Sequence, residues 1–171
     1  MRNDKGFTLI ELLIVVAIVG VIAAMAIAGL LRARIAGNEA SAIGTMRTIV
    51  SAQADYSNAN SGYAADLSAL ATACPGMTSP WISSDIDANG VTKNGYTFAV
   101  GPGAGAFPGR LDCNGTPTTT AFYGTAIPIG VGSSGNRAFA INQGSAIWQD
   151  TSGAPPAEPL AVTATASPLG R

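Results

Sequence analysis

Residues 12–31 read LLIVVAIVGVIAAMAIAGLL and carry no charge between Glu11 and Arg32. A helix of this length measures about 30 Å at 1.5 Å per residue, which matches the hydrocarbon thickness of a bilayer. The stretch therefore predicts a helix that crosses a membrane. Glu11 stands at its entrance, and an ionised side chain within a span costs about 2.5–3.5 kcal/mol. A charged residue at such a position usually interacts with a partner.

The composition of the whole chain excludes several classes of function. Of its 171 residues, 11% are charged and 47% are hydrophobic, and nine Lys and Arg against ten Asp and Glu give a net charge of −1. This balance does not supply the basic face that nucleic-acid binding needs, and the hydrophobic content argues against a disordered chain. The sequence has no histidine, which excludes Ser-His-Asp catalysis, Cys-His catalysis and imidazole metal sites. Typical soluble domains are about 25% charged, so part of this chain is expected to lie outside water.

Two simpler interpretations of the apolar stretch are a cleaved secretory signal peptide and a plain membrane anchor. Small residues at Ala24, Ala26 and Ala28 fit a signal-peptidase site. The stretch is, however, longer than the usual apolar region of a signal peptide. Neither interpretation gives a role to Glu11.

Residues 5–18, KGFTLIELLIVVAI, resemble the N-terminal processing and methylation motif of type IV prepilins and of the pseudopilins of type II secretion. In that family a membrane-embedded peptidase cuts after the glycine and methylates the new N-terminus. The resemblance implies that residues 1–6 are a leader, removed by cleavage between Gly6 and Phe7, and that Phe7 is N-methylated. It also places Glu11 at the family's fifth mature residue, a glutamate.

The chemistry of a membrane supports a role for Glu11 in assembly. Cleavage leaves a cationic amine on Phe7, and the Glu11 carboxylate can pair with that amine on a neighbouring subunit. An unpaired charge is costly in a low dielectric, so such pairing favours one register of assembly. Many pilins carry a proline later in this helix, whereas this sequence has Ala28 and Gly29. Any bend is therefore expected to come from glycine flexibility.

Beyond the apolar stretch, the helical pattern continues with a single apolar stripe. The stripe comprises Ile35, Ala42, Ile43, Met46, Ile49, Val50 and Tyr56. Four charged residues are expected to point in other directions: Arg34, Glu39, Arg47 and Asp55. Small polar residues and glycine end the helix over 58–62. We therefore divide it into a transmembrane or filament-core half, residues 7–31, and an amphipathic half, residues 32–60, which needs a domain to pack on.

Residues 61–171 are predicted to form a globular head. A short helix over 64–73 should turn Leu67 and Leu70 inward. Strands are predicted over 96–100, 121–127, 137–141 and 146–149. The tail from Thr151 holds four prolines and is expected to be irregular. The predicted fold is α+β, a long N-terminal helix, transmembrane and then amphipathic, packed against a small antiparallel sheet.

Cys74 and Cys113 are the two cysteines of the chain. The resemblance to pilins implies that the head lies outside the cytoplasm, where disulfides persist. A bridge between them would close a loop of about 40 residues and stabilise the head by about 4 kcal/mol in the chain-entropy model. The alternative is a pair of free buried thiols.

Asp85, Asp87 and Asn89 place oxygen ligands at alternate positions, as in the first half of a calcium-binding loop. The second half does not fit, because Lys93 occupies a ligand position and Tyr96 stands where the bidentate glutamate belongs. We therefore expect a polar turn rather than a metal site, with these three residues as the candidate ligands if calcium binds. No cofactor is expected.

Together these features predict a structural subunit of a type IV pilus, not an enzyme, that polymerises through its methylated N-terminal helix into a surface filament. The resemblance implies three kinds of partner: copies of the chain, the prepilin peptidase and methyltransferase, and the inner-membrane platform and ATPase of assembly. The chain would lie in the inner membrane before assembly and outside the bacterium afterwards. The alternatives are a pseudopilin of type II secretion, a minor pilin, and a membrane-anchored binding protein that never polymerises. Adhesion, motility and DNA uptake remain open as uses of the filament.

Overall fold

The computed structural model of the protein describes residues 6–170, apart from the side chain of Ala28. The chain divides into two compact units, one ending at Arg34 and the other beginning at Ile35. The first unit is helical from Leu9 onward, and the second, which we call the head, contains all of the described strands.

Helix α1 (Leu9–Asn60) has 52 residues and confirms the long N-terminal helix predicted from the sequence. It continues without a break through both glycines of the apolar stretch. It is followed by Ser61, which has a left-handed φ of 60°, and by Gly62. A Cβ atom at Gly62 would collide with the side chain of Thr118, so the close approach of that strand requires glycine at the turn.

Helix α2 (Leu67–Ala71) lies within the short helix predicted over 64–73. Its N-cap is Asp66, whose carboxylate accepts a hydrogen bond from the N–H of Ala69 at 2.8 Å. Leu67 and Leu70 are fully buried, as predicted. A single 3₁₀ turn follows over Ser84–Ile86.

The rest of the head is built from eight short strands. In chain order they are β1 (Val91–Lys93), β2 (Tyr96–Pro102), β3 (Pro108–Leu111), β4 (Pro117–Thr119), β5 (Phe122–Pro128), β6 (Ala138–Asn142), β7 (Trp148–Asp150) and β8 (Ala166–Pro168). Six form one sheet in the order β1-β2-β5-β6-β7-β8, and β3 pairs with β4. Every pairing is antiparallel, which confirms the α+β fold.

The four predicted strands correspond to β2, β5, β6 and β7, with their ends correct to within two residues. Four strands of three or four residues were not predicted, because such short strands show no clear alternation in the sequence: β1, β3, β4 and β8. The prediction of an irregular tail is wrong at β8, which pairs with β7. The N–H of Leu169 also donates to the carbonyl of Ile147 at 2.7 Å, so the end of the chain is held against the sheet.

The two edge strands of the larger sheet are its shortest, at three residues each, together with β7. On β1, the amine of Lys93 lies 2.6 Å from the carboxylate of Asp85. On the other edge, β8 ends at Pro168, which has no N–H to donate.

The core of the head lies between α1 and the larger sheet. Helix α1 contributes Ala42, Met46, Ile49 and Tyr56, and the strands contribute Tyr96, Phe98, Phe122 and Phe139, among others. Ile35 is also buried, while Ile43 and Val50 are partly buried. The predicted apolar stripe of the amphipathic half is thus the face of α1 that packs into the head.

Candidate assembly site

The N-terminus of α1 is capped by Thr8. Its carbonyl accepts the first intrahelical hydrogen bond, from the N–H of Leu12 at 3.3 Å. Its hydroxyl accepts the N–H of Glu11 at 3.3 Å and donates to the Glu11 carboxylate at 3.4 Å. The sequence analysis did not assign a role to Thr8, although the spacing T-x-x-E is a capping signal. Capping places Glu11 in the first turn, where the helix dipole favours a negative charge.

The residues predicted to be processed lie just before the helix. Gly6 and Phe7 are exposed, and no atom lies within 4 Å of the position that a Cβ on Gly6 would take. The leader residues 1–5 lie outside the described residues. Glu11 is also exposed, and neither ion pair of the described residues includes it. The peptide bond between Gly6 and Phe7 and the Glu11 carboxylate are therefore both accessible to another molecule.

The apolar segment, residues 7–31, is exposed wherever its side chains are described. Sixteen of its large apolar side chains are 44–81% exposed. Complete burial of one such side chain is worth about 1.5–3 kcal/mol, whereas a whole domain is stable by about 5–15 kcal/mol. The segment therefore requires lipid or protein around it. By length and composition, α1 is able to cross a membrane.

Comparisons with known proteins agree with this geometry. The family model described as the prokaryotic N-terminal methylation motif matches residues 1–27. The type IV wide pilus major component PilA4 of Thermus thermophilus is 35% identical over 105 residues, which are 61% of this chain and 79% of that protein. The chain belongs to the type IV pilin family. As a pilin, it is a structural protein. No solved structure matches the chain.

The two cysteines of the pilin form a disulfide, as predicted. The Cα atoms of Cys74 and Cys113 are 5.5 Å apart, which is a usual separation for a bridge. The disulfide joins the segment after α2 to the connection between β3 and β4. The alternative of two free buried thiols is thereby excluded.

The connection between β3 and β4 is also tied to the end of α1. The hydroxyl of Tyr56 donates to the carboxylate of Asp112 at 2.6 Å, and the N–H of Cys113 donates to the side chain of Asn60 at 3.1 Å. Burial, and then the Asp112 carboxylate, raise the pKa of Tyr56 above its ordinary value. Burial acts to raise the pKa of Asp112, but hydrogen bonds from Tyr56 and from the backbone of residues 114–116 hold it below its ordinary value. One covalent bond and two hydrogen bonds therefore fix this end of the head.

Glu39 does not lie where the helical pattern predicts. The expectation that it points away from the head is wrong, because the residue is only 7% exposed. Its carboxylate accepts hydrogen bonds from Arg137, at 2.6 Å from Nη2 and 2.9 Å from Nε, and from the N–H of Asn136 at 2.9 Å. Burial acts to raise the pKa of Glu39, but the Asn136 N–H and the Arg137 guanidinium hold it below its ordinary value. Periodicity assigns charges to the outside and cannot reveal a partner 98 residues away.

Two of the three candidate calcium ligands, Asp85 and Asn89, have other partners. Asp85 pairs with Lys93 at 2.6 Å and accepts a hydrogen bond from Ser83, and Lys93 lowers the pKa of Asp85. The amide of Asn89 donates to the carbonyl of Val100 at 2.7 Å and accepts the N–H of the same residue at 2.9 Å. Asp87 is exposed. Among the described residues, no group of three His, Cys, Asp or Glu could hold a metal ion.

Proposed function

We propose that this pilin is the principal subunit of a surface filament. It is made as a prepilin, cleaved between Gly6 and Phe7, methylated on Phe7, and held in the inner membrane by residues 7–31 until assembly. Polymerisation moves the apolar segment from lipid into a core of packed helices. The observation that carries the proposal is the exposure of the apolar side chains along that segment, because lipid and a filament core would both remove them from water.

Glu11 supports the step of assembly. Its carboxylate is exposed in the first turn of α1, where it stays accessible to a cation from outside the chain. The amine of Phe7 on a neighbouring subunit is such a cation. In a low dielectric, the cost of an unpaired charge favours the register in which amine and carboxylate meet. The prepilin peptidase and methyltransferase, and then the platform and ATPase of assembly, act before this pairing.

The name of the relative favours a principal subunit. The Thermus protein is described as a major component of a wide pilus. A minor pilin or a pseudopilin of type II secretion would share the N-terminal motif. The match to the Thermus protein, however, spans 61% of this chain and therefore includes a large part of the head as well.

Analysis of sheared filaments tests the proposal. We expect a filament whose dominant subunit, by mass spectrometry, is this chain beginning at N-methylated Phe7. A Gly6→Val variant should accumulate as an uncleaved precursor and yield no filaments. If the processed chain stays in the membrane and occurs in no filament, it is an anchored protein of another function.

A matched pair of variants separates the two roles of the first turn. Glu11→Ala should be processed and inserted normally but give at least about tenfold fewer filaments, as expected for loss of a partly buried ionic contact between subunits. Thr8→Ala removes the helix cap, which is worth about 1 kcal/mol, while retaining the carboxylate, so filaments should persist. Equal loss in both variants would show that capping, rather than pairing with Phe7, explains the need for Glu11.

A further inference from the structure

The part of α1 that lies in the head turns one face outward, which we call the outer face of α1. It comprises the exposed residues Gly37, Ala40, Gly44, Arg47, Ser51 and Asp55. On one side lies an open groove of about 440 Å³, bounded by α1, the loop before β7 and Leu169. On the other side lies a groove of about 420 Å³, bounded by α1, the 3₁₀ turn and β1. A ridge with a groove on each side is a shape that packs against another helix.

Two opposite charges stand on the outer face. Neither Arg47 nor Asp55 belongs to an ion pair of the described residues. Within a helix, a charge pairs with a residue three or four positions away. Those positions around Asp55 hold Ser51, Ala52, Asn58 and Ala59, and those around Arg47 hold Ile43, Gly44, Val50 and Ser51. Neither residue therefore has a partner of opposite charge within α1. Arg47 and Asp55 are eight residues apart, which is too far for them to pair with each other.

Most other charges of the head are already engaged within it. The acids Glu39, Asp66, Asp85, Asp112, Asp150 and Glu158 accept hydrogen bonds or form ion pairs. Among the described acids of the head, this leaves Asp55 and Asp87, and only Asp55 lies on α1. The part of α1 within the head thus carries one cation, Arg47, and one anion, Asp55, that are open to a second molecule.

We infer that the outer face of α1 is an interface with a second copy of the chain, in which Asp55 of one copy pairs with Arg47 of the next. This rests on the proposed function, since it fixes how neighbouring subunits meet. The pairing requires two parallel helices displaced by eight residues, about 12 Å along the axis. Such an interface joins two different patches and repeats without closing, which produces a filament rather than a dimer. The other residues of the outer face, Gly37, Ala40, Gly44 and Ser51, are small and let a second helix approach.

Charge reversal and exchange test the pairing in assembled filaments. Asp55→Arg and Arg47→Asp should each reduce the yield of sheared filaments by at least about tenfold, since each places like charges together. The double variant restores the attraction with exchanged signs, and its yield should return to near that of the wild type. Asp87→Arg is the matched control, an exposed acid away from α1, and should assemble normally. Because both charges are exposed, all variants should keep the thermal unfolding temperature of the head.

Cysteine cross-linking tests the displacement directly. Two positions eight residues apart in one helix are about 12 Å apart, too far for a disulfide, which needs Cα atoms within about 7 Å. In filaments of Arg47→Cys/Asp55→Cys, oxidation should therefore link neighbouring copies and give a ladder of multimers. Arg47→Cys alone should give no dimer. Dimers of that single variant would overturn the inference, because they would bring like positions of two copies together.

The outcomes separate this inference from the proposed function. If wild-type cells bear no filament containing the chain, the proposed function fails. If wild-type filaments form and Glu11 is required, but the double exchange stays defective and the paired cysteines give no ladder, only the inference about the outer face is overturned.

Discussion

The apolar segment and the head differ in where their stabilising contacts come from. The segment satisfies its backbone hydrogen bonds within α1 but leaves its described side chains exposed. The head buries an apolar core and adds a disulfide, a buried ion pair and the hydrogen bond between Tyr56 and Asp112. One region therefore depends on its surroundings, and the other carries its own stabilising contacts. The proposed move from a membrane into a filament depends on both, because the head can stay folded while the surroundings of the segment change.

Removing the segment should have the largest effect. A chain beginning at Ile35 should be a soluble monomer that unfolds cooperatively, whereas the mature chain from Phe7 should require detergent. The segment exposes sixteen large apolar side chains, and burial of each is worth about 1.5–3 kcal/mol. The summed free energy of their burial exceeds the stability of an ordinary domain. Gel filtration with and without detergent measures the difference. Aggregation of the truncated head in plain buffer would show that the head also depends on the segment.

Loss of the disulfide should be the next largest effect, confined to the head. Cys74 and Cys113 are 39 residues apart in sequence, and replacing both with serine should lower the free energy of unfolding by about 4 kcal/mol. The measurement is urea unfolding of the head, with reductant added to the wild type as an independent route to the same state. Circular dichroism of the mature chain in micelles should show an unchanged helical segment. A loss of that helix would mean that the two regions are not independent.

The Glu39–Arg137 pair should make a smaller contribution that depends on pH. Glu39→Gln should cost about 2 kcal/mol at pH 7, less than the 3–5 kcal/mol for a fully buried pair, because the Arg137 side chain is 34% exposed. The pKa of Glu39 is lowered in the folded head. Its contribution is therefore present above the unfolded pKa of about 4.3 and is lost as the pH falls through the folded value.

Urea unfolding at pH 7 and pH 3 measures the contribution of the Glu39–Arg137 pair to the free energy of unfolding. The difference between the wild type and Glu39→Gln should narrow at pH 3, because the unfolded chain then gains a proton on Glu39 that the folded head binds less readily. Asp55→Asn is the control, an exposed acid whose replacement should change stability by less than about 0.5 kcal/mol. A constant difference between wild type and variant at both pH values would contradict the role of the charge.

Two glycine substitutions should give the smallest effects and opposite signs. Gly44 lies on the exposed face of α1, and no atom lies within 4 Å of the position that a methyl group would take there, so Gly44→Ala should stabilise the isolated head by about 0.5–1 kcal/mol. At Gly62, a methyl group would collide with Thr118, so Gly62→Ala should lower the melting temperature. Thermal unfolding of both variants tests this contrast. An equal stabilisation by Gly62→Ala would show that a methyl group at position 62 does not collide with Thr118.

The sequence predicted features that depend on neighbouring residues in the chain. The apolar run and the stripe through Met46 and Ile49 identified α1 and its buried face, because a helix repeats locally. Features that depend on distant residues were missed, above all the pair of Glu39 and Arg137. Strand β4 escaped prediction for the same reason, since it is held by the exchange of two hydrogen bonds between Tyr63 and Thr119, at 2.8 and 2.9 Å.

The candidate site could be proposed from the sequence because its motif lies in one continuous stretch. The roles of Gly6, Phe7 and Glu11 come from the resemblance of that stretch to the prepilin motif, and they stay predictions. The capping role of Thr8 was available in the same stretch as a short spacing rule, and it was overlooked. The charges of the outer face could not be selected from the sequence, because only the structure shows which acids of the head are already engaged.

The short edges of the larger sheet limit the pairing of strands between neighbouring heads. An exposed strand edge is a template for adding strands from other chains. Here one edge carries the charged Lys93 and the other ends at Pro168, and each offers only three residues for pairing. Heads of neighbouring copies are thus poor seeds for amyloid-like stacking, even where they lie close together.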